Sequence, residues 1–306
     1  MRKLIIVFLI GLVFLKPAGG QIKGPELLRK MGYPLESKLL ILHADDVGMS
    51  HSVDVASFEA IEKGWVSSAS IMVPCPWFNE VAEFARSHPS ADLGLHLTLT
   101  SEWNNYRWGP LNRSHYQSLL DREGYFFKES ADVGKHVSAL DAEAEMTIQI
   151  EKARSAGIRF THLDDHMGAL AQNAGLFNVY LKAGRDNHLV LSISEGELKS
   201  YPEVVKQYAD LPVLTYLGSA NEIDALEGFR KSLASLKPGV YIRIVHLGLD
   251  DAELGAIMQT RDNGAKSRQR DFDLVRSEEF RKLLRDYGIQ LIRWSDVARA
   301  FPGGAQ

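Results

Sequence analysis

Apolar positions in this chain fall into two rhythms that take turns. Short apolar or alternating runs read as strands at Leu39 to Leu42, Ser68 to Val73, Asp92 to Leu99 and Ile158 to Leu163, because each is brief and bounded by turn residues or acids. Further strands are expected at His188 to Ile193, Leu211 to Tyr216, Gly239 to His246 and Ile289 to Arg293. Stretches of helical period lie between them. One opens after Gly48, with Ser50 or Ser52 as its cap and Val55, Phe58 and Ile61 on one side, and stops at Lys63-Gly64. Others run from Phe78 to Ser87, Ser138 to Ala156 and Asp273 to Tyr287. The alternation, with few hairpin signals, argues for an α/β fold of parallel strands and crossover helices. Seven or eight such units suit a barrel better than an open sheet.

Two stretches break the rhythm. At the start, Met1-Arg2-Lys3 precedes twelve apolar or glycine residues, Leu4 to Leu15, and then Lys16-Pro17-Ala18-Gly19-Gly20. A basic start, a short apolar segment and small residues before a cut make a signal peptide over residues 1–20. The mature chain is then expected to begin at Gln21 and to be exported, periplasmic or extracellular. An uncleaved anchor is the competing reading, although twelve residues are too few to span a bilayer comfortably. The second break runs from Thr100 to about Gly134 and carries Trp103, Asn104, Asn105, Tyr106, Trp108, Tyr116, Tyr125 and Phe126. A connection this long is commonly functional. Its rings suit stacking on sugars, or equally packing of the loop onto the body.

Composition narrows the partners. The chain has 35 basic and 39 acidic residues for a formal charge of −4, and three of the basic ones sit in the leader. Nucleic acid and anionic membrane are therefore poor candidates. No second long apolar segment follows, so no stable membrane insertion is expected after the leader is removed. The single cysteine, Cys75, has no internal partner and reads as a small core residue. No repeat or low-complexity linker divides residues 21–306, which are expected to form one domain.

Chemistry collects at the strand ends. The first strand closes in Asp45 and Asp46, the third carries His96, the fourth leads into His162, Asp164 and His166, and a later one ends in His246. In a parallel barrel all carboxyl ends share one rim, so these residues converge there. Adjacent acids repel when both are ionised, which suggests a division of labour. One carboxylate and two imidazoles leave open positions on a divalent ion for water and substrate. Asp46, His96 and His166 are assigned to that role, and Asp45 becomes the candidate general base. His51 and His115 read as surface residues. Arg261, Asp262 and Asn263 follow the His246 strand and are read either as sugar contacts or as holding their own loop. Arg243, inside a strand, is expected to pair with a buried acid such as Asp164.

The run His43-Ala-Asp-Asp-Val-Gly48, the segment Gly94-Leu-His-Leu-Thr-Leu-Thr100 and the segment Thr161-His-Leu-Asp-Asp-His166 resemble, in that order, the YdjC-like family of carbohydrate deacetylases. Val245-His246 and the Arg-rich stretch Arg268 to Arg276 extend the likeness over most of the mature chain. The resemblance implies a deformed (β/α) barrel of about seven parallel strands, related to the NodB-type polysaccharide deacetylases. It implies one divalent ion, magnesium by family habit, though the imidazoles also suit zinc. It implies removal of acetyl groups from N-acetylated oligosaccharides. By position it makes Asp46, His96 and His166 the ligands and Asp45 the base, and His246 the acid that protonates the departing amine. The preference for His166 over His162 rests mainly on this likeness. His162, Asp164, Trp103, Arg243 and Arg268 are set down as substrate contacts. Val47, where phenylalanine is common, and Met167-Gly168-Ala169, where further histidines are common, depart from the family pattern. Two other readings stand beside this one: a metal-dependent ester or other acyl hydrolase, and a glycan-binding barrel without activity.

Overall fold

A computed structural model describes residues 21–208, 210–218, 225–259 and 264–301. The expected leader, residues 1–20, and Arg261, Asp262 and Asn263 lie outside the described residues. Eight strands occur among them: β1 Lys38–Val47, β2 Ser68–Ile71, β3 Leu93–Leu97, β4 His162–Asp165, β5 Val190–Leu191, β6 Thr215–Tyr216, β7 Gly239–Val245 and β8 Ile289–Leu291. Every pairing is parallel, in the order β5-β4-β3-β2-β1-β7-β6. β8 joins the foot of β1, where Lys38 to Leu40 pair with Ile289 to Leu291. The sheet therefore curls around β1 as a deformed barrel. Between β5 and β6 no strand pairing appears among the described residues; the side-chain oxygens of Ser192 and Tyr216 meet there at 2.5 Å.

β1 is buried along nearly its whole length, and its alternation sorts the core into two. Leu40, Leu42 and Ala44 pack in a large cluster with the crossover helices. Leu39 and Ile41 pack in a smaller one with Leu27, Leu28, Val240, Ile242, Trp294 and Val297, which fills the inside of the curl. A strand covered on both sides reads as a continuous apolar run, which is why its sequence was so plain.

Helix ends follow local chemistry. Ser50 caps His51–Glu62 by accepting the Val53 N–H, and Ser138 caps Ala139–Ser155 in the same way. The expected helix from Asp273 to Tyr287 proves to be two, Ala265–Arg276 and Glu278–Asp286. Ser277 breaks it by adopting an extended conformation and capping the second piece through the Phe280 N–H. Its apolar period runs across the break, so the pattern alone could not show it.

The connection after Thr100 is a packed substructure. Trp103, Trp108 and Phe126 are all but fully buried. The Trp108 indole N–H donates to the Thr100 carbonyl at 2.8 Å, and the Tyr106 hydroxyl to the Met49 carbonyl at 2.7 Å. Buried Glu145, on the long helix, accepts the Leu111 N–H with both oxygens. Trp103, Trp108 and Phe126 pack the connection onto the body, and Trp103 is placed in the core.

Candidate active site

The centre of the site is an irregularity in β1. Ala44 pairs with Ala69 and Val47 with Ile71, so one extra residue is inserted on β1 at Asp45-Asp46. Asp46 takes a left-handed conformation with φ 67°. Successive side chains of a regular strand point to opposite faces; a bulge removes that constraint. Both carboxylates consequently face His96: its Nε2 lies 3.8 Å from Asp45 Oδ2 and 3.4 Å from Asp46 Oδ1. Gly48, at φ 94°, turns the chain out of the strand. Its N–H donates to buried Asp54 Oδ1 at 2.5 Å, which ties the turn to the following helix. A Cβ there would press on Val81 at 3.3 Å.

Asp46, His96 and His166 form a tight triangle. Asp46 Oδ1 is 3.3 Å from His166 Nδ1, and His166 Nδ1 is 3.1 Å from His96 Nε2. Three ligands of an ion bound at 2.0–2.1 Å stand about 3.0 Å apart on an octahedral face and about 3.4 Å apart in a tetrahedron. The triangle fits either. Asp46 Oδ1 is buried and has no hydrogen-bond partner of its own, and two imidazole nitrogens so close need a proton or a cation between them. The site thus suits a divalent ion, and the three atoms are among the groups able to hold one.

Each imidazole is braced from behind by a carboxylate. Asp164 Oδ1 lies 2.7 Å from His96 Nδ1, so that nitrogen carries the proton and leaves the Nε2 lone pair for the triangle. Glu102 Oε2 does the same for His166, 3.2 Å from its Nε2, leaving Nδ1 free to ligate. Asp164 was expected at the substrate; it is buried instead behind His96 and His43, whose electrostatic fields and hydrogen bonds, against the effect of burial, hold it far below the usual carboxylate range. Glu102 was missed, since nothing in Ser101-Glu102-Trp103 marks it before the loop is folded.

Arg268 also proves to brace Asp46. Its Nη2 is 2.5 Å from Asp46 Oδ2. Burial would raise the Asp46 carboxyl, but the Arg268 guanidinium and the close approach of His166 and His96 hold it well below its ordinary value. The expected substrate contact is therefore tied to the Asp46 carboxylate, with Nη1 left without a hydrogen-bond partner among the described residues.

Asp45 uses its two oxygens differently. Oδ1 faces inward, 3.2 Å from His43 Nε2 and 3.3 Å from the Ser70 hydroxyl that donates to it. Oδ2 faces outward, between His96 and the half-exposed His246, whose Nε2 is 4.0 Å away. The backbone N–H of His246 donates to Asp271 at 2.9 Å.

Two expected contacts fall elsewhere. His162 is fully buried, stacked on Trp294 at 4.9 Å and pressed against Gly94, so it lies inside the curl and away from the rim. Burial and the neighbouring His43 push its imidazole well below the usual range. Arg243 does not pair with Asp164. It stands over the Phe229 ring at 5.8 Å and reaches the Leu217 carbonyl, on the opposite side of β7 from the interior residues Val240 and Ile242. Asp164 is engaged by two imidazoles, and the acid whose charge acts on Arg243 is Asp271. His43 was overlooked as part of a strand, yet it shares the inward face of Asp45 and meets Asp164 Oδ2 at 2.9 Å. His51 and His115 are on the surface, and Cys75 is buried, as read from the sequence.

Residues 39–286 match the YdjC-like protein family. The chain is 29% identical to a carbohydrate deacetylase of Thermus thermophilus, over 90% of this chain and 99% of that protein. It is 27% identical to a carbohydrate deacetylase of Enterococcus faecalis, over 86% of this chain and all of that one. A crystal structure from Enterococcus faecalis, described as a candidate cellobiose-phosphate cleavage protein, superposes with a TM-score of 0.70 at 27% identity, covering 85% of this chain and 99% of its own. The family match spans β1, β3, β4 and β7, the strands that carry or lead into Asp45, Asp46, His96, His166 and His246, and this chain belongs to the YdjC-like family.

Proposed function

We propose that the protein is a metal-dependent carbohydrate deacetylase that hydrolyses the N-acetyl group of N-acetylated oligosaccharides to acetate and a free amine. The observation that carries this reading is the split between neighbours: Asp46 is committed to two imidazoles and Arg268, while Asp45 turns one oxygen to the rim beside His96 and His246. A site built only to bind would not need a second, differently oriented carboxylate beside a ligand set. The names of the Thermus and Enterococcus relatives support the reading.

Asp46 Oδ1, His96 Nε2 and His166 Nδ1 would hold the ion. When bound, a divalent cation in such a set polarises the acyl carbonyl and makes its water more acidic. The protein's own groups then supply the proton traffic. Asp45 Oδ2 accepts the proton of the attacking water as its oxygen adds to the acyl carbon. His246, half-exposed on the rim, donates a proton to the amide nitrogen as the carbon–nitrogen bond breaks, so that nitrogen leaves as a neutral amine and not as an anion. Arg268 and Asp164 keep Asp46 and His96 in register. The apolar run of residues 4–15 after a basic start supports the further reading that this chemistry takes place outside the cytoplasm.

The test is release of acetate, with stoichiometric appearance of amine, from chitooligosaccharides and from acetylated xylan. Amine and acetate from the former are expected. Acetate from xylan alone would make the protein an esterase, and no release from either would remove the deacetylase reading.

A further inference from the structure

His43 lies on the inside of the sheet, fully buried, two residues before Asp45 on the same face of β1. Its Nε2 reaches Asp45 Oδ1 at 3.2 Å and Asp164 Oδ2 at 2.9 Å. Its ring is fixed by an edge-on contact with His162 at 5.1 Å, and His162 in turn is stacked on Trp294 at 4.9 Å. One ring nitrogen thus stands between two carboxylates: it hydrogen-bonds the one that aligns His96 and lies in ion-pair contact with the one whose other oxygen faces the rim. The Ser70 hydroxyl donates to the same Asp45 oxygen at 3.3 Å. A carboxylate at a bulge, freed from the regular alternation of the strand, needs such tethers if it is to present a single oxygen.

We infer that His43, with Ser70, is a positioning residue for the base. The pair pins Asp45 Oδ1 inward so that Oδ2 stands toward the reacting centre, and the His43 link to Asp164 keeps that oxygen in register with His96. The inference rests on the reading of Asp45 as general base. It assigns work to a buried histidine and a strand serine that touch neither the ion's ligands nor the rim.

The test uses the full metal-loaded protein. His43→Leu removes the donor at similar volume, and His43→Gln restores an N–H at the same reach. His43→Leu is expected to lower kcat by about 10- to 100-fold with KM within about two-fold and metal content unchanged. His43→Gln should recover most of the loss, and Ser70→Ala should lower kcat by a few-fold. Because His43→Leu empties a buried polar position, folding is followed by circular dichroism; if it does not fold, His43→Gln and Ser70→Ala carry the comparison. Loss of metal in step with activity, or unchanged kcat in both folded variants, overturns the proposal. A readout without turnover separates it from the deacetylase reading. In protein with 15N-labelled histidine, the His43 Nε2–H resonance, identified by its absence in His43→Gln, should shift in Asp45→Asn. A shift without acetate release from the wild type leaves the tether and removes the reading; no shift removes the tether.

Discussion

His166 Nδ1 and His96 Nε2 stand 3.1 Å apart, with Asp46 Oδ1 completing the triangle. Both imidazoles are held in that approach by carboxylates behind them, Glu102 and Asp164. A ligand whose outer partner is removed loses its fixed tautomer and part of its basicity, which typically costs 10- to 100-fold in metal affinity. Glu102→Gln should therefore weaken zinc or magnesium binding by roughly that factor while leaving the fold intact. Competition against a metallochromic chelator measures it, and unchanged affinity would show that Glu102 does not serve His166.

In the metal-free protein, His43 and His166 carry a pH dependence of defined sign. Burial works against their charged forms. Around His43 it is outweighed by Asp164 and Asp45, and around His166 by Glu102 and Asp46, so that both are raised from 6.5 to about 9. A group raised in the folded state stabilises it fully below the unfolded value and ceases to do so as pH climbs through the folded one. Metal-stripped protein should accordingly lose stability between pH about 6.5 and about 9, by at most about 1.4 kcal/mol per pH unit for each histidine. Metal affinity should rise over the same range, because His166 must lose its proton to ligate. Scanning calorimetry of stripped protein checks the first point; a flat or rising Tm there would contradict it.

Gly94 is fixed by what lies against it. A Cβ would stand 2.2 Å from His162 Nε2, and that ring is stacked on buried Trp294 with 19° between the planes. Overpacking of this kind costs roughly 1–3 kcal/mol or more. Gly94→Ala should lower the melting temperature and disturb β3 two residues before His96. Wild-type stability in that variant would mean the ring has room to move.

Trp103 gives the opposite test. It is buried in the large cluster, so Trp103→Ala should cost about 3–5 kcal/mol of stability. Among molecules that remain folded, KM for an oligosaccharide should change by less than about two-fold. A large KM effect at unchanged stability would return the ring to the substrate.

What the sequence displayed depended on physical scale. β1 was legible because burial on both sides forces an uninterrupted apolar run, and the ordered Asp-Asp, His96 and His166 segments were legible because parallel strands bring their ends to one rim. The bulge at Asp45-Asp46 was not, since one extra residue on one strand leaves no periodic trace; yet it explains how two neighbours face the same imidazole. Glu102 was hidden for a related reason, since it matters through a partner more than 60 residues away; His43 reads as one more strand position until distant Asp164 and the bulged Asp45 are folded against it. Arg243 was assigned the wrong acid because nothing in the strand pattern says which face it takes: it turns to the Phe229 ring, the Leu217 carbonyl and the charge of Asp271, away from Asp164.

The division of labour between Asp45 and Asp46 is the central claim, and one paired measurement tests it most directly: metal content and acetate release of Asp45→Asn and Asp46→Asn, side by side with the wild type. Asp45→Asn should retain one ion per chain and lose turnover by at least about 100-fold, the range for a general base, whereas Asp46→Asn should lose the ion and turnover together. An Asp45→Asn protein that sheds its metal as readily as Asp46→Asn, or that keeps wild-type turnover, would contradict the account.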